Sequence, residues 1–202
     1  MITNKLQIKV FATGLDDELV PQVIPAFHRW ITERALDEIL VDVADYRHVF
    51  HGPGITLVGH ESTYHIDEHA GRRGLLYFRK RGFPPGADPL LDAVRRTLVA
   101  CSLLERDLGA DGKLFDAGAV QVRVADRTAI EAGFTPAAFG EHVATRLAPV
   151  YGGAPEVAVL ADGGLPGVDL RWSTAPAFAD LVGRLPVALR GEAAATPATL
   201  RA

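Results

Sequence analysis

Leu6-Gln7-Ile8-Lys9-Val10 returns late in the chain as Val120-Gln121-Val122-Arg123-Val124, with the same alternation of apolar and polar side chains and the same glutamine in second place. A period of two marks a strand with one face on a core, so Leu6, Ile8 and Val10 are expected inside and Gln7 and Lys9 outside. The likeness continues outward from the strand. Ala26, Phe27, Ile31 and Arg34 answer to Ala138, Phe139, Val143 and Arg146, and Pro53-Gly54-Ile55-Thr56-Leu57 to Pro166-Gly167-Val168-Asp169-Leu170, all at nearly one offset. Three matches in one order predict a duplicated β-α-β-β unit.

The first unit is expected over residues 1–110, with an inserted hairpin and a helix, and the second over 111–190, packed against the first. Residues 191–202, rich in Ala, Thr and Pro, read as a flexible tail with little to bury. Within the first unit, Ile24, Phe27, Ile31 and Ala35 recur at helical spacing behind Pro21 and Pro25, which suit a first turn. Ile39 to Val43 reads as a strand buried on much of both faces, and Pro53-Gly54 turns the chain into Ile55 to Gly59. A polar stretch from His60 to His69 leads through Ala70-Gly71-Arg72-Arg73-Gly74 to a return strand, Leu75 to Lys80. Asp88-Pro89 starts a helix, because the carboxylate can accept from free first-turn amides while proline needs no acceptor there. Leu91, Val94, Leu98 and Cys101 form its inner face, so Cys101 reads as a core residue.

In the second unit a helix from Pro136 to Val150 is followed by strands at Glu156 to Leu160 and Val168 to Trp172, and by a short helix from Ala177 to Gly183. The expected class is α+β, with helices packed on a mixed or antiparallel sheet. The order resembles ferredoxin-like folds, a likeness of layers that says nothing of chemistry.

With 202 residues and 48% hydrophobic content, the chain can bury a sizeable core. A formal net charge of −4 argues against a surface given over to nucleic acid or anionic membrane. The single cysteine excludes an internal disulfide and a cysteine-built metal site within one chain. No apolar signal core follows Met1, and no stretch approaches the roughly 20 apolar residues of a membrane span, so a cytoplasmic, reducing setting is expected.

His48, His51, His60, His65 and His69 cluster in the first unit and have no counterparts in the second. His60-Glu61-Ser62-Thr63-Tyr64-His65 is not the zinc-protease motif, because histidines five apart stand about 140° around a helix. If the segment is extended, Glu61, Thr63, His65, Asp67 and His69 share one face, and His60, Glu61, His65 and Asp67 become candidate ligands for a divalent transition metal. Alternate strand residues lie about 6.6 Å apart, which works against convergence, and a solvated polar face is the plainer reading. Arg72, Arg73, Arg79, Lys80 and Arg81 crowd the same hairpin, where guanidinium groups suit an anion or an acidic partner, or else discourage strand pairing at an edge. The sequence lacks a P-loop, a serine-hydrolase elbow and a nucleic-acid-binding motif.

The run from Leu36 to Tyr46 with His48, then Gly52-Pro53-Gly54, Gly59-His60-Glu61, Leu75-Leu76-Tyr77 and Arg79-Lys80 resembles a group of uncharacterised bacterial proteins of similar length, over residues 24–81. That resemblance brings no activity, and no catalytic residue is assigned. The leading expectation is a non-enzymatic binding or assembly protein without a cofactor, whose charged hairpin projects to meet a protein partner or another copy. The alternatives are a metal-assisted enzyme with a His and carboxylate site in residues 48–69, and a binder of small anionic ligands through Arg72, Arg73 and Arg79.

Overall fold

The computed structural model describes residues 5–83, 85–110, 114–131 and 134–185. Eight strands form one antiparallel sheet: β1 (Leu6–Ala12), β2 (Leu40–Asp45), β3 (Ile55–Gly59), β4 (Ser62–Asp67), β5 (Gly74–Arg79), β6 (Phe115–Val124), β7 (Glu156–Val159) and β8 (Gly167–Arg171). Their order across the sheet is β2-β3-β4-β5-β1-β6-β8-β7. The helices are α1 (Val23–Glu33), α2 (Pro89–Asp107), α3 (Arg127–Glu131), α4 (Pro136–Tyr151) and α5 (Phe178–Arg184). The class is therefore α+β, and every strand pairing is antiparallel. The flexible tail expected at 191–202 lies outside the described residues.

Alternation decides which face the helices cover. Leu6, Ile8 and Val10 of β1, Leu57 of β3, Tyr64 of β4, Leu75 and Tyr77 of β5, and Val120 and Val122 of β6 are buried in one core with Phe27 and Trp30 of α1, Leu98 of α2 and Val143 of α4. Burying side chains of this size is favourable by about 1.5–3 kcal/mol each and fixes the register, since a one-residue slip would turn all of them outward. Trp30 donates its indole N–H to Asp107 at 2.7 Å, which ties α1 to the end of α2. Asp88 caps α2 as expected, accepting from the Leu91 amide at 3.0 Å, and Cys101 is fully buried. No helix among the described residues is long and apolar enough to cross a membrane.

The matched strands stand in mirrored order about a central antiparallel β1–β6 pair in which Ile8 faces Val122: β3 and β2 lie outward on one side, β8 and β7 on the other. The difference is the hairpin β4–β5, which separates β3 from β1, whereas β8 lies directly beside β6.

Two expectations are corrected here. The segment from Ile39 to Val43 is no inner strand, because β2 ends the sheet and leaves Ile39 and Val41 at 72% and 59% exposure. The register of this edge shifts between Leu40 and Asp42, and Asp42 accepts from the Val43 amide at 2.8 Å, so one backbone donor of the edge is already taken. The hairpin does not project either. Its strands are paired on both sides, β4 with β3 and β5 with β1, because Tyr64, Ile66, Leu75 and Tyr77 supply the apolar stripe that holds it in the body of the sheet.

Candidate functional site

The face opposite the helices carries the polar partners of the same alternation. Lys9 of β1 stands opposite Leu76 of β5 and Gln121 of β6, and Gln121 stands opposite Asp169 of β8. Lys9 is only 4% exposed, and its ammonium donates to Asp67 at the end of β4. Burial pushes the Lys9 pKa below the ordinary lysine value, and the Asp67 carboxylate pulls against that shift. On the other flank, Gln121 donates through Nε2 to Asp169 at 2.8 Å and accepts from Arg123 Nε at 2.8 Å. Arg123 also pairs with Asp162 and donates to the Leu165 carbonyl at 2.6 Å, which fixes the β7–β8 loop against the sheet. Arg72 donates to Asp169 at 2.6 Å with its guanidinium 3.6 Å from the centre of the Phe11 ring.

Between these groups lies a cleft of about 290 Å³, small for a ligand pocket. Lys9, Arg72 and Arg123 line it against two carboxylates, Asp67 and Asp162, with Phe11, Leu76 and Leu165 giving apolar wall. A larger hollow of about 390 Å³ lies on the other side of Asp67, under the loop that joins β2 to β3. Both its cations are spent, Arg73 on Asp17, Glu68 and the Leu15 carbonyl, and Arg47 on Asp45. The smaller cleft holds the buried lysine, and for that reason it is the candidate site.

The four expected metal ligands are not brought together. His65 and Asp67 do share the uncovered face, but Asp67 is paired with Lys9, and His65 lies between Thr56 (2.9 Å) and Thr63 (2.7 Å). Glu61 precedes β4 and pairs with Arg79 at 2.6 Å, while His60 is exposed. Among the described residues, no group of three or more His, Cys, Asp or Glu side chains is placed to hold a metal ion.

The basic residues of the hairpin diverge. Arg72 joins the cleft, Arg73 goes to the acids beside it, and Arg79, 1% exposed, donates to the carbonyls of Arg81 and Gly82, each at 2.9 Å. Lys80 donates to the Gly59 carbonyl and Arg81 to that of His60 at 3.1 Å. These cations stitch β5 to its surroundings. Lys9, Gln121 and Arg123, by contrast, were legible only as the outward side of a repeated strand, and nothing local marks them as meeting Asp67, Asp162 and Asp169.

His65 gives the uncovered face a pH dependence. Burial, helped by Lys80 and opposed by Asp67, lowers its pKa from 6.5 to about 4. Between these values the unfolded chain binds a proton that the folded chain refuses, so stability is full above pH 6.5 and falls as pH drops toward 4, by on the order of 3 kcal/mol in all. Glu105, raised by burial, acts in the opposite sense near the lower end of that window. Urea midpoints taken from pH 7 to 4.5 should fall in the native chain and flatten in His65→Asn. Equal slopes in both would remove His65 as the cause.

Compared with protein-family models, curated proteins and solved structures, the chain matches none.

Proposed function

We propose that this is a binding protein that holds a small molecule in the cleft on the uncovered face of the sheet. The observation that carries the reading is Lys9: an ammonium has three donors, and here, almost wholly enclosed, it has one acceptor, Asp67, among the described residues. Burying a charge with donors to spare is costly unless an acceptor, from water or a ligand, completes it. The neighbouring groups are held for that purpose. Gln121, Arg123 and Asp169 fix one another, so the cleft keeps its shape before anything enters, and a preformed site loses less affinity to ordering.

The mirrored strand order also supports descent of the two halves from one β-α-β-β unit, with the cleft where their first strands meet. The inserted hairpin supplies Asp67 and Arg72, which the second half does not match, and so makes the cleft asymmetric.

A fragment screen followed by amide NMR on isotope-labelled protein tests the reading. Bound fragments should move the amide signals of Lys9, Phe11, Leu76 and Gln121 together. Hits that gather under the β2–β3 loop, or perturb no common site, would overturn it.

A further inference from the structure

Resting on the cleft as the binding site, we infer that its ligand is a monocarboxylate with a flat apolar body, the acid held by Lys9 and Arg72 and the body lying against Phe11, Leu76 and Leu165.

The unspent groups on the walls select the sign. Lys9, Arg72 and Arg123 line the cleft and each is paired with one carboxylate, Asp67, Asp169 and Asp162 in turn, so the charges balance and the groups with bonds still to make are cations. The donors select the chemistry. Arg123 is saturated by Gln121, Asp162 and the Leu165 carbonyl, so it shapes the cleft and has little left to offer. Lys9 has two N–H groups without an acceptor among the described residues, and Arg72 commits only Nη1, to Asp169. A carboxylate presents two oxygens with lone pairs to spare, and charge-assisted bonds to it are about twice as strong as neutral ones.

The acids select against higher charge. With the three cations already balanced, a monoanion adds one negative charge, whereas a phosphate dianion adds two beside Asp67, Asp162 and Asp169 at a cleft of only about 290 Å³. An amine would find those two acids already paired, with Lys9 and Arg123. The apolar part follows from the remaining wall. Phe11, Leu76 and Leu165 line the cleft, and Arg72, its guanidinium over the Phe11 ring and its side chain 43% exposed, offers a flat cation on which a planar body can lie.

The test uses a matched set on the intact protein: 2-naphthoate, 2-naphthamide, 2-naphthylmethylamine and inorganic phosphate, titrated by NMR at low salt. The expected result is 2-naphthoate binding at the cleft at least tenfold more tightly than the amide, with the amine and phosphate weaker still. In Lys9→Met/Asp67→Leu, which removes the ion pair as a unit, that acid preference should fall to threefold or less. Binding of the amide or amine on a par with the acid, or tighter binding of phosphate, overturns the carboxylate assignment and leaves the site standing. Full acid preference in the double variant overturns the role of Lys9. No binding of any of the four at millimolar concentration overturns the site itself.

Discussion

Glu38→Ala is expected to lower folding stability by about 3–5 kcal/mol, as much as breaking a buried ion pair, although Glu38 lies away from the cleft and meets the apolar core at the Tyr64 hydroxyl. Its side chain is wholly enclosed where the chain enters β2. The carboxylate accepts from the backbone amides of Glu61 (3.0 Å) and Ser62 (3.1 Å), from the Ser62 hydroxyl and from the Tyr64 hydroxyl (3.0 Å), with Arg96 of α2 at 3.8 Å. One acid thus serves the turn between β3 and β4 and lies near a buried arginine whose closer counter-charge is Asp92, at 2.8 Å. Alanine would leave two amides and two hydroxyls without this acceptor, and each such group costs about 1–3 kcal/mol when water cannot reach it.

Glu38→Gln keeps the volume and one carbonyl oxygen but turns an amide N–H₂ toward donors, so it should fall between Ala and the native chain. Urea unfolding read by tryptophan fluorescence measures all three. A loss under about 1 kcal/mol for the alanine variant would mean that water or a shifted side chain replaces the carboxylate. The same packing explains Gly59, where an added Cβ would come within 2.3 Å of Glu38 Oε2.

The elements along the chain were legible because their causes are local. Alternation in Leu6-Gln7-Ile8-Lys9-Val10, the Asp88-Pro89 start of α2 and the inward stripe with Cys101 each depend on neighbours within a turn or a strand, and each is found where the pattern puts it. Strand order is not local. Nothing inside Ile39 to Val43 tells an inner strand from the edge it forms, since an apolar run is compatible with both. The position of β2 follows from β4–β5 taking the place beside β1, a choice between distant segments. The site was hidden for the same reason. Arg72 meets Asp169 and Lys9 meets Asp67 across 97 and 58 positions of sequence. The run of cations from Arg72 to Arg81 has the pattern of a surface feature, yet Arg79 is among the most buried side chains of the described residues.

Lys9→Met should destabilise the fold by about 3–5 kcal/mol, and Asp67→Leu added to it should restore most of that loss, which is the signature of a buried pair kept for something other than stability. The Lys9 side chain is 4% exposed and that of Asp67 12%, so removing the cation leaves a carboxylate in a place with almost no water to replace it. The wall near them offers Arg72 as the next cation, but its Nη1 is held by Asp169 across the cleft. With both charges gone, methionine and leucine would lie beside Leu76 and Phe11 on the sheet, where apolar side chains of similar volume are often neutral or stabilising. The measurement is a double-mutant cycle by urea unfolding at pH 7, above the window in which His65 titrates, so that its proton does not enter the comparison. A double variant as unstable as Lys9→Met alone would mean that the loss comes from packing rather than from an orphaned charge. Recovery of stability together with loss of carboxylate preference would separate what Lys9 does for the fold from what it does for a ligand. That outcome would mark an ammonium that the sheet can do without, held beside a cleft with donors unspent, which binding explains better than folding.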